Sequence, residues 1–426
     1  MHEIFGRKIK KNFLFLYMDR TWALDMYQTA GLGVLALLAG IYLTRYIKFL
    51  KKFCIPAPVT GGIIFSLLTL GLYHLGIECT FDGTIKDLCM MLFFTSVGFQ
   101  SDFKVLKKGG KPLLVMIGLV FGLIVCQNLI SVGLARGMGF NALFGMSAGS
   151  IPMCGGHGTS GGFAPLLEKM GLEGADSITM AAATFGLLAG SLLGGPLGER
   201  LIRRHKLANP SAHKNVMEGI EGVEASPEAK GYHTNQEEDF QTYVMGACYL
   251  FIATALGTGV SKLLQLTGIT FPTYFGALIV ACFLRNVLGL FPSFLKSLPV
   301  DKIVYLGDIS LQLFLGIAMA SLQLWELASL ALPLGVILCT QVAFMALYGA
   351  FVAFPLLGKN YDSAVLVSGL CGFGLGATPN AMANMSAVCF KYRYAVQPFI
   401  IVPIIGAMFV DIINTGVVTL FLNFIR

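Results

Sequence analysis

The sequence predicts an all-α polytopic membrane protein with two inverted-topology repeats, each of five transmembrane helices and one re-entrant hairpin. Three observations predict this fold. The 426 residues are 55% hydrophobic and only 12% charged, whereas a soluble domain carries about twice that charge. Apolar runs long enough to cross roughly 30 Å of hydrocarbon recur along the chain. Two glycine-rich stretches, at 142–170 and 362–390, interrupt that pattern at matching places.

Ten windows of the sequence are apolar enough to be membrane-spanning helices. They lie near 24–46, 55–76, 87–104, 112–135, 176–197, 241–265, 271–291, 303–322, 331–355 and 396–424. The second and seventh windows begin with the proline-containing segments IPAPVTGG, from Ile55, and FPTYFG, from Phe271. Proline is tolerated in the first turn of a helix, so both segments predict helix starts, although a hinge role stays open.

Lysine and arginine predict the orientation, because short cytoplasmic loops of membrane proteins collect them. We assume that each window crosses once and that each glycine-rich stretch returns to the side from which it came. One side then carries Arg45, Lys48, Lys51, Lys52, Lys104, Lys107, Lys108, Lys111, Arg200, Arg203, Arg204, Lys206, Lys296, Lys302, Lys359, Lys391 and Arg393. The other side carries only Lys86, Arg136, Lys169, Lys262 and Arg426. The rich side is therefore predicted to be cytoplasmic, with both termini outside.

Charge and cysteine content argue against other classes of protein. The net charge of +7 sits in clusters beside the spans, so no nucleic-acid partner is expected. The ten cysteines are scattered without a CxxC pair, which fits small packing residues better than a transition-metal site or a disulfide framework. No removable signal peptide is expected. The basic segment 1–17 conflicts with an external N-terminus, and it is either a surface segment or foreign to the native protein.

The two halves of the chain repeat the same order of features around a polar segment. Phe93 and Pro112 match Phe314 and Pro333 at one constant offset. Five crossings and one returning stretch in each half invert the second half relative to the first, as in many secondary transporters. The predicted organisation is an N-terminal extension (1–23), a first repeat (24–204), a cytoplasmic linker (205–240) and a second repeat (241–426).

The two glycine-rich stretches are expected to form a binding site where they meet near the middle of the membrane. Irregular backbone at this depth must line a cavity or be buried in protein. Half-helix ends attract anions through their N–H groups and small cations through their carbonyls. The predicted substrate-binding residues are Ser150, Gly155, Gly156, His157, Gly158, Thr159, Ser160, Gly376, Thr378 and Asn380.

Polar side chains within the spans form a second group of candidates. Asp411 is the most deeply embedded acid, and it is expected to bind Na⁺ or a substrate ammonium group, or else to face water at a helix end. Placed with Asp411 as sodium or amine ligands are Asn384, Asn414, Gln127 and Asn128. Amides such as Gln127, Asn128 and Gln341 either hold helices together or face the cavity. For His157, three roles stay open: substrate contact, proton relay and structure.

Other glycines predict packing rather than binding. Gly186, Gly190 and Gly194 follow the small-xxx-small spacing of closely packed membrane helices. Gly372, Gly374 and Gly376 lack the GxGxxG spacing and the βαβ context of a dinucleotide loop.

Six segments resemble the bacterial glutamate:sodium symporter family. They are CGGHGTSGGF, AAATFGLLAGSLLGGPLGERL, LWELASLALP, GKNYDSAVL, CGFGLGATPNAMANM and VPIIGAMFVDIIN. The resemblance extends from about Leu24 to the C-terminus. It implies uptake of L-glutamate across the bacterial inner membrane with Na⁺ as coupling ion and no other cofactor. It also implies a homodimer in which a scaffold holds a moving transport domain, whereas the residues themselves indicate only a small anionic solute.

The predicted function is therefore secondary transport by alternating access, and the protein is not expected to be an enzyme. The nearest alternative is a proton- or sodium-coupled carrier of another organic anion, such as a di- or tricarboxylate. A hydrolase that uses a serine or Cys154 with His157 lacks a positioned acid to orient the histidine. A channel fits broken inverted repeats less well than alternating access does.

Overall fold

The computed structural model describes residues 20–52, 55–103, 106–208, 236–266, 271–288, 298–327 and 330–425. Most of the predicted N-terminal extension and most of the predicted linker therefore lie outside the described residues. What is described is almost entirely helical, with one short pair of strands.

The first half contains nine helices and both strands among the described residues. They are β1 (Arg20–Leu24), α1 (Met26–Tyr46), α2 (Lys48–Lys52), α3 (Ala57–His74), β2 (Ile77–Phe81), α4 (Thr84–Gln100), α5 (Leu106–Gly137), α6 (Ala142–Ser147), α7 (Ser150–Met153), α8 (Gly156–Lys169) and α9 (Ala175–Arg204). The expected helix start at IPAPVTGG is confirmed, because α3 begins directly after Pro56.

The second half contains the corresponding long helices and two π-helical turns. They are α10 (Gln236–Gln265), α11 (Phe275–Leu288), α12 (Val300–Ala320), α13 (Leu324–Leu327), α14 (Ala331–Leu347), α15 (Phe354–Leu356), α16 (Tyr361–Gly374), α17 (Thr378–Lys391), α18 (Val396–Ile404) and α19 (Val410–Ile425). A π-helical turn at Tyr348–Ala353 joins α14 to α15, and another at Ile405–Phe409 joins α18 to α19.

Seven helices of the described residues are long and apolar enough to cross a membrane. They are Met26–Tyr46, Ala57–His74, Gly110–Gly137, Ala175–Arg204, Phe240–Gln265, Val300–Ala320 and Ala331–Leu356. All seven coincide with predicted windows. The three other windows correspond to α4, to α11 and to the interrupted pair α18–α19. The chain is a multi-pass membrane protein.

The ends of the helices gather at two opposite faces. The parallel pairing of β1 with β2 places the start of α1 beside the start of α4, and the Lys86–Asp176 ion pair adds the start of α9. We call this side the terminal face. Opposite it, the linker face holds the ends of α4 and α11, joined by Arg285 and Asp102 at 3.2 Å. The ends of α9 and α17 also meet there, joined by Lys391 and Glu199 at 2.5 Å.

The long helices form two bundles. The frame bundle comprises α1, α3, α4, α10, α11 and α12. In it, one helix of each half packs on helices of the other half: α4 packs on α10 and α11, whereas α12 packs on α1 and α3. Buried hydroxyl groups support both contacts. Ser66 donates to the carbonyl of Met319 at 2.6 Å, and Thr95 and Thr254 are hydrogen-bonded at 2.9 Å. The hairpin bundle contains α5 to α9 and α14 to α19.

Glycines bring the helices of the hairpin bundle into close contact. A Cβ atom at Gly190 would lie 3.0 Å from the carbonyl oxygen of Cys371 on α16. Gly186 faces the carbonyl of Leu375, and Gly194 faces the side chain of Asn384. The packing role predicted for these three glycines of α9 is confirmed.

Candidate functional site

A cavity of about 360 Å³ lies between the frame bundle and the hairpin bundle. From the frame bundle it is lined by Pro56, Phe93, Val97, Gln100, Asp308, Leu311, Gln312 and Leu315. The hairpin bundle contributes residues 154–158, Leu187, Phe373, residues 376–379, Gly406, Val410 and Asp411. Because the lining reaches Pro56 and Gln100, at the linker-face ends of their helices, the cavity lies in the half of the molecule nearer that face.

The first glycine-rich stretch forms a broken helical segment that ends in the first tip, residues 154–158. Asn141 caps α6 by accepting a hydrogen bond from the backbone N–H of Leu143 at 3.1 Å. Gly145 then packs against Val132 of α5, and α8 returns beside α9, where Ser160 donates to the carbonyl of Thr179 at 3.3 Å. At the tip, Gly156 has φ +59°, a left-handed conformation that glycine adopts readily.

The second glycine-rich stretch forms an antiparallel helical hairpin that ends in the second tip, residues 376–379. Gly372 of α16 packs against the backbone of Ala381 in α17. At the other end, the hydroxyl of Tyr361 donates to the carbonyl of Arg393 at 2.5 Å. Each pair joins the two helices at matching levels, so α16 and α17 run side by side in opposite directions.

The two tips meet at the cavity with the N-termini of α8 and α17. A Cβ atom added at Gly156 would lie 2.9 Å from the carbonyl oxygen of Gly376, so the tips are in direct contact. Neither α8 nor α17 has a side-chain cap at its N-terminus. The first N–H groups of a helix lack intrahelical partners and carry partial positive charge. This arrangement suits an anionic group, and no lysine or arginine is among the described residues that line the cavity.

Asp411 supplies a negative charge beside the first tip in the same cavity. It lies in the first turn of α19, which follows the π-helical turn at Ile405–Phe409. The hydroxyl of Thr159 in α8 donates to its carboxylate at 3.4 Å. Carboxylate, hydroxyl and irregular backbone next to one another are the oxygen ligands that small hard cations take.

Three polar side chains hold the first tip from behind. Asn128 of α5 accepts from the backbone N–H of Ser150 at 2.9 Å and donates to the Ser150 hydroxyl at 2.8 Å. The Ser150 hydroxyl donates in turn to Asn414 of α19 at 2.6 Å. Each of these side chains is fully buried, and none lines the cavity. The network therefore orients the tip rather than presenting donors to a ligand in this conformation.

The remaining amide candidates bind backbone carbonyls. Asn380 and Asn384 of α17 donate to the carbonyls of Leu187 and Gly190 in α9, at 2.8 and 2.9 Å. Gln127 donates to the carbonyl of Gly374 at 2.8 Å, and Gln341 donates to the carbonyl of Gln127 at 2.7 Å. Asn380, Asn384 and Gln127 therefore hold the second hairpin against α9 and α5, whereas Gln341 joins α14 to α5.

Comparison with known proteins identifies the family. The sequence profile described as "Sodium/glutamate symporter" matches residues 22–394. The chain belongs to the sodium/glutamate symporter family. The sodium/glutamate symporter of Escherichia coli (strain K12) is 38% identical over 405 residues, which cover 94% of this chain and 98% of that relative. The sodium/glutamate symporter of Haemophilus influenzae is 36% identical over 398 residues, covering 93% and 96%.

Among solved structures, a sodium proton antiporter from Methanocaldococcus jannaschii aligns with this chain at a TM-score of 0.42 and 14% sequence identity. The alignment covers 93% of this chain and 97% of the antiporter chain. The sodium/glutamate symporter family consists of transporters, so the protein is a transporter rather than an enzyme. The pairing of Cys154 with His157 as a hydrolase is thereby excluded. Instead, His157 is nearly buried and its Nε2 lies 3.0 Å from the hydroxyl of Thr184 on α9.

The structure brings about half of the predicted site residues of this symporter-family chain to the cavity. They are Gly155, Gly156, His157, Gly158, Gly376, Thr378 and Asp411. Thr159 does not line the cavity itself, but its hydroxyl donates to Asp411, which does. The Ser160 hydroxyl donates to the carbonyl of Gly156 at 2.7 Å. The frame residues Gln100, Asp308 and Gln312 also line the cavity, although the sequence analysis did not select them. The sequence feature that could have identified these three residues is a polar side chain inside a predicted membrane span.

Proposed function

We propose that this chain takes up L-glutamate together with Na⁺, its coupling ion, by alternating access. The observation that carries the proposal is the meeting of two uncapped helix N-termini at one cavity, with the carboxylate of Asp411 beside them. The relatives named as sodium/glutamate symporters support the choice of solute and ion.

Each part of the site has a role in this proposal. The substrate carboxylates lie against the N–H groups at 156–158 and at Thr378, where partial positive charge replaces lysine and arginine. Na⁺ binds near Asp411 and Thr159 with carbonyl groups of the tips. Bringing one anionic charge into a negative interior costs roughly 2.3 kcal/mol per 100 mV. Co-transported Na⁺ offsets that cost.

The architecture proposed for the membrane is a pair of inverted repeats, 24–204 and 241–426, with two re-entrant hairpins. The reciprocal packing of α4 on α10 and α11, and of α12 on α1 and α3, supports an inverted pair. The first hairpin begins and ends toward the terminal face, whereas the second begins and ends toward the linker face. We place the linker face in the cytoplasm of a bacterial inner membrane, in keeping with the lysines and arginines predicted there.

Movement of the hairpin bundle along the frame bundle is the proposed alternating-access step. The two bundles meet mainly around the cavity and at the terminal face, where Lys86 pairs with Asp176 and the backbone N–H of Gln323 donates to the Ser177 hydroxyl at 3.2 Å. The cavity lies toward the linker face, so the conformation is assigned as inward-facing. A homodimer held by the frame bundle stays a prediction.

Uptake into proteoliposomes tests the function. Purified full-length protein is reconstituted, and uptake of radiolabelled L-glutamate is measured under an inward Na⁺ gradient, an inward H⁺ gradient and no gradient. We expect accumulation only with Na⁺, and competition by unlabelled glutamate. A glutamate uptake rate that does not depend on the Na⁺ gradient would overturn the proposal, and so would Na⁺-driven uptake of citrate in place of glutamate.

A further inference from the structure

The frame bundle contributes a carboxylate to the cavity that the proposed function leaves unused. Asp308 of α12 lines the cavity together with Gln312, one turn further along the same face, and with Gln100 of α4. Within the described part of the chain, Asp308 has neither a hydrogen bond nor an ion pair. The Asp308 side chain is exposed at the cavity, so its carboxylate is available to a ligand, and an acid inside an apolar span usually marks a functional site.

Asp308 lies close to the first tip. A Cβ atom at Gly158 would lie 3.1 Å from the Phe93 ring and 4.0 Å from the Leu311 side chain, so α12 touches the tip at Leu311. Asp308 precedes Leu311 by about one helical turn, a rise of roughly 4.5 Å. A small molecule held by the N–H groups of the tips is therefore within reach of the Asp308 carboxylate.

We propose that Asp308 binds the ammonium group of the amino-acid substrate while the substrate carboxylates lie at the two tips. The inference rests on the proposed function, since it places glutamate in the cavity. It makes Asp308 a specificity-determining residue: it favours an amino acid over a dicarboxylate of the same length that lacks the amino group.

The surroundings of Asp308 suit an ammonium group better than Na⁺. Asp308 lies inside the regular helix Val300–Ala320, where backbone carbonyls are used in helical hydrogen bonds. The site therefore offers one carboxylate and the amide oxygens of Gln100 and Gln312, whereas hard cations take about six oxygen ligands. An ammonium group needs only acceptors for its three N–H donors. Asp411, beside Thr159 and the irregular tips, remains the better ligand for Na⁺.

The two carboxylates also belong to different bundles. Asp411 moves with the tips in the hairpin bundle, whereas Asp308 stays in the frame bundle. The ammonium contact is therefore made only when the tips stand opposite this part of α12, as they do here. Asp308 consequently recognises the substrate in the conformation that is open toward the linker face.

The test compares binding of L-glutamate with that of glutarate, the same dicarboxylate without the amino group, to purified full-length protein in saturating Na⁺. Asp308→Asn should weaken glutamate binding roughly tenfold and change glutarate binding less than about twofold. Asp308→Asn with Gln312→Glu moves the charge one turn along the same face and should restore part of the preference. Asp301→Asn is the matched control, because Asp301 lies in the first turn of α12 and is exposed outside the cavity.

Each other result has a definite meaning. Equal weakening of glutamate and glutarate, or no change in either, overturns the inference. So does a higher Na⁺ requirement in Asp308→Asn with an unchanged ratio of the two affinities, because Asp308 would then be a Na⁺ ligand. If the unmodified protein binds neither ligand with Na⁺, the proposed function itself has failed. A thermal unfolding curve that matches the unmodified protein shows that the variant is folded.

Discussion

Breaking the ion pair between Lys86 and Asp176 should shift the protein toward the outward-facing conformation. Lys86 starts α4 in the frame bundle and Asp176 starts α9 in the hairpin bundle, with Nζ and Oδ2 separated by 3.3 Å. Both side chains are only about one-fifth exposed, at 19% and 21%. The pair joins the two bundles at the terminal face, so in the proposed alternating-access step it has to separate before the hairpin bundle moves.

The size of the effect follows from the burial of the pair. Exposed pairs contribute about 0–1 kcal/mol, and hydrogen bonds to charged groups about 1.5–3 kcal/mol. A largely buried pair at this distance should contribute about 1–2 kcal/mol, which changes the ratio of two populations by a factor of about 5–30. Asp176→Asn is the milder perturbation, because Lys86→Met leaves the largely buried Asp176 carboxylate without its partner.

Thiol labelling measures this population shift. Ala377 of the second tip lines the cavity and is partly exposed, so Ala377→Cys in a background without the native cysteines gives a membrane-impermeant maleimide one site that reports from which side the cavity is reached. We expect the ratio of external to internal labelling to rise about 5–30-fold in Asp176→Asn, and the exchanged pair Lys86→Asp with Asp176→Lys to restore it. Glu199→Gln is the control, because Glu199 pairs with Lys391 inside the hairpin bundle. An unchanged ratio in Asp176→Asn would refute the reasoning.

Three further substitutions probe the site. Gly156→Ala should reduce Na⁺-driven glutamate uptake more than about tenfold, because φ +59° costs an alanine about 1–2 kcal/mol and its Cβ atom would clash with the Gly376 carbonyl. Gly133→Ala is the control, because a Cβ atom at Gly133 meets no other atom within 4 Å. Normal uptake by Gly156→Ala would contradict the prediction. Asp411→Asn should raise the Na⁺ concentration for half-maximal glutamate binding about tenfold, and an unchanged Na⁺ dependence would remove Asp411 from the cation site. Asn128→Ala should lower the free energy of unfolding by about 1–3 kcal/mol, since the buried Ser150 N–H loses its acceptor and the Ser150 hydroxyl keeps only its bond to Asn414. A thermal unfolding midpoint equal to that of the unmodified protein would show that this network does not stabilise the tip.

Local patterns in the sequence were sufficient to predict the helices and the two tips. Apolar windows anticipate the long helices because membrane-spanning length and composition are properties of each segment alone. The glycines around Gly156 and Gly376 likewise mark positions where backbone approaches backbone. Spacing also predicted that Gly190 packs closely against another helix, since a row of small residues on one helix face is typical of such packing; that this helix is α16 is seen only in the structure.

Local patterns could not predict which polar side chains line the cavity and which bond to other protein groups. Ser150 and Asn128 have the chemistry of ligand contacts, yet they bond to each other behind the tip. Asp308 lines the cavity only because α12 crosses from the second half to pack against α4 of the first. Which hydroxyl or carboxylate faces the cavity depends on that long-range packing, and no local pattern encodes it.

The exchange of helices between the two halves has a consequence for biogenesis. While the first half leaves the ribosome, α10 and α11 have not been made, so α4 lacks its packing partners. The groove between α1 and α3 also stays unfilled until α12 is made. Ser66 likewise lacks the Met319 carbonyl until much of the second half has been inserted. The frame can close only after translation has passed the linker, so two halves expressed as separate chains should be degraded singly and accumulate when made together.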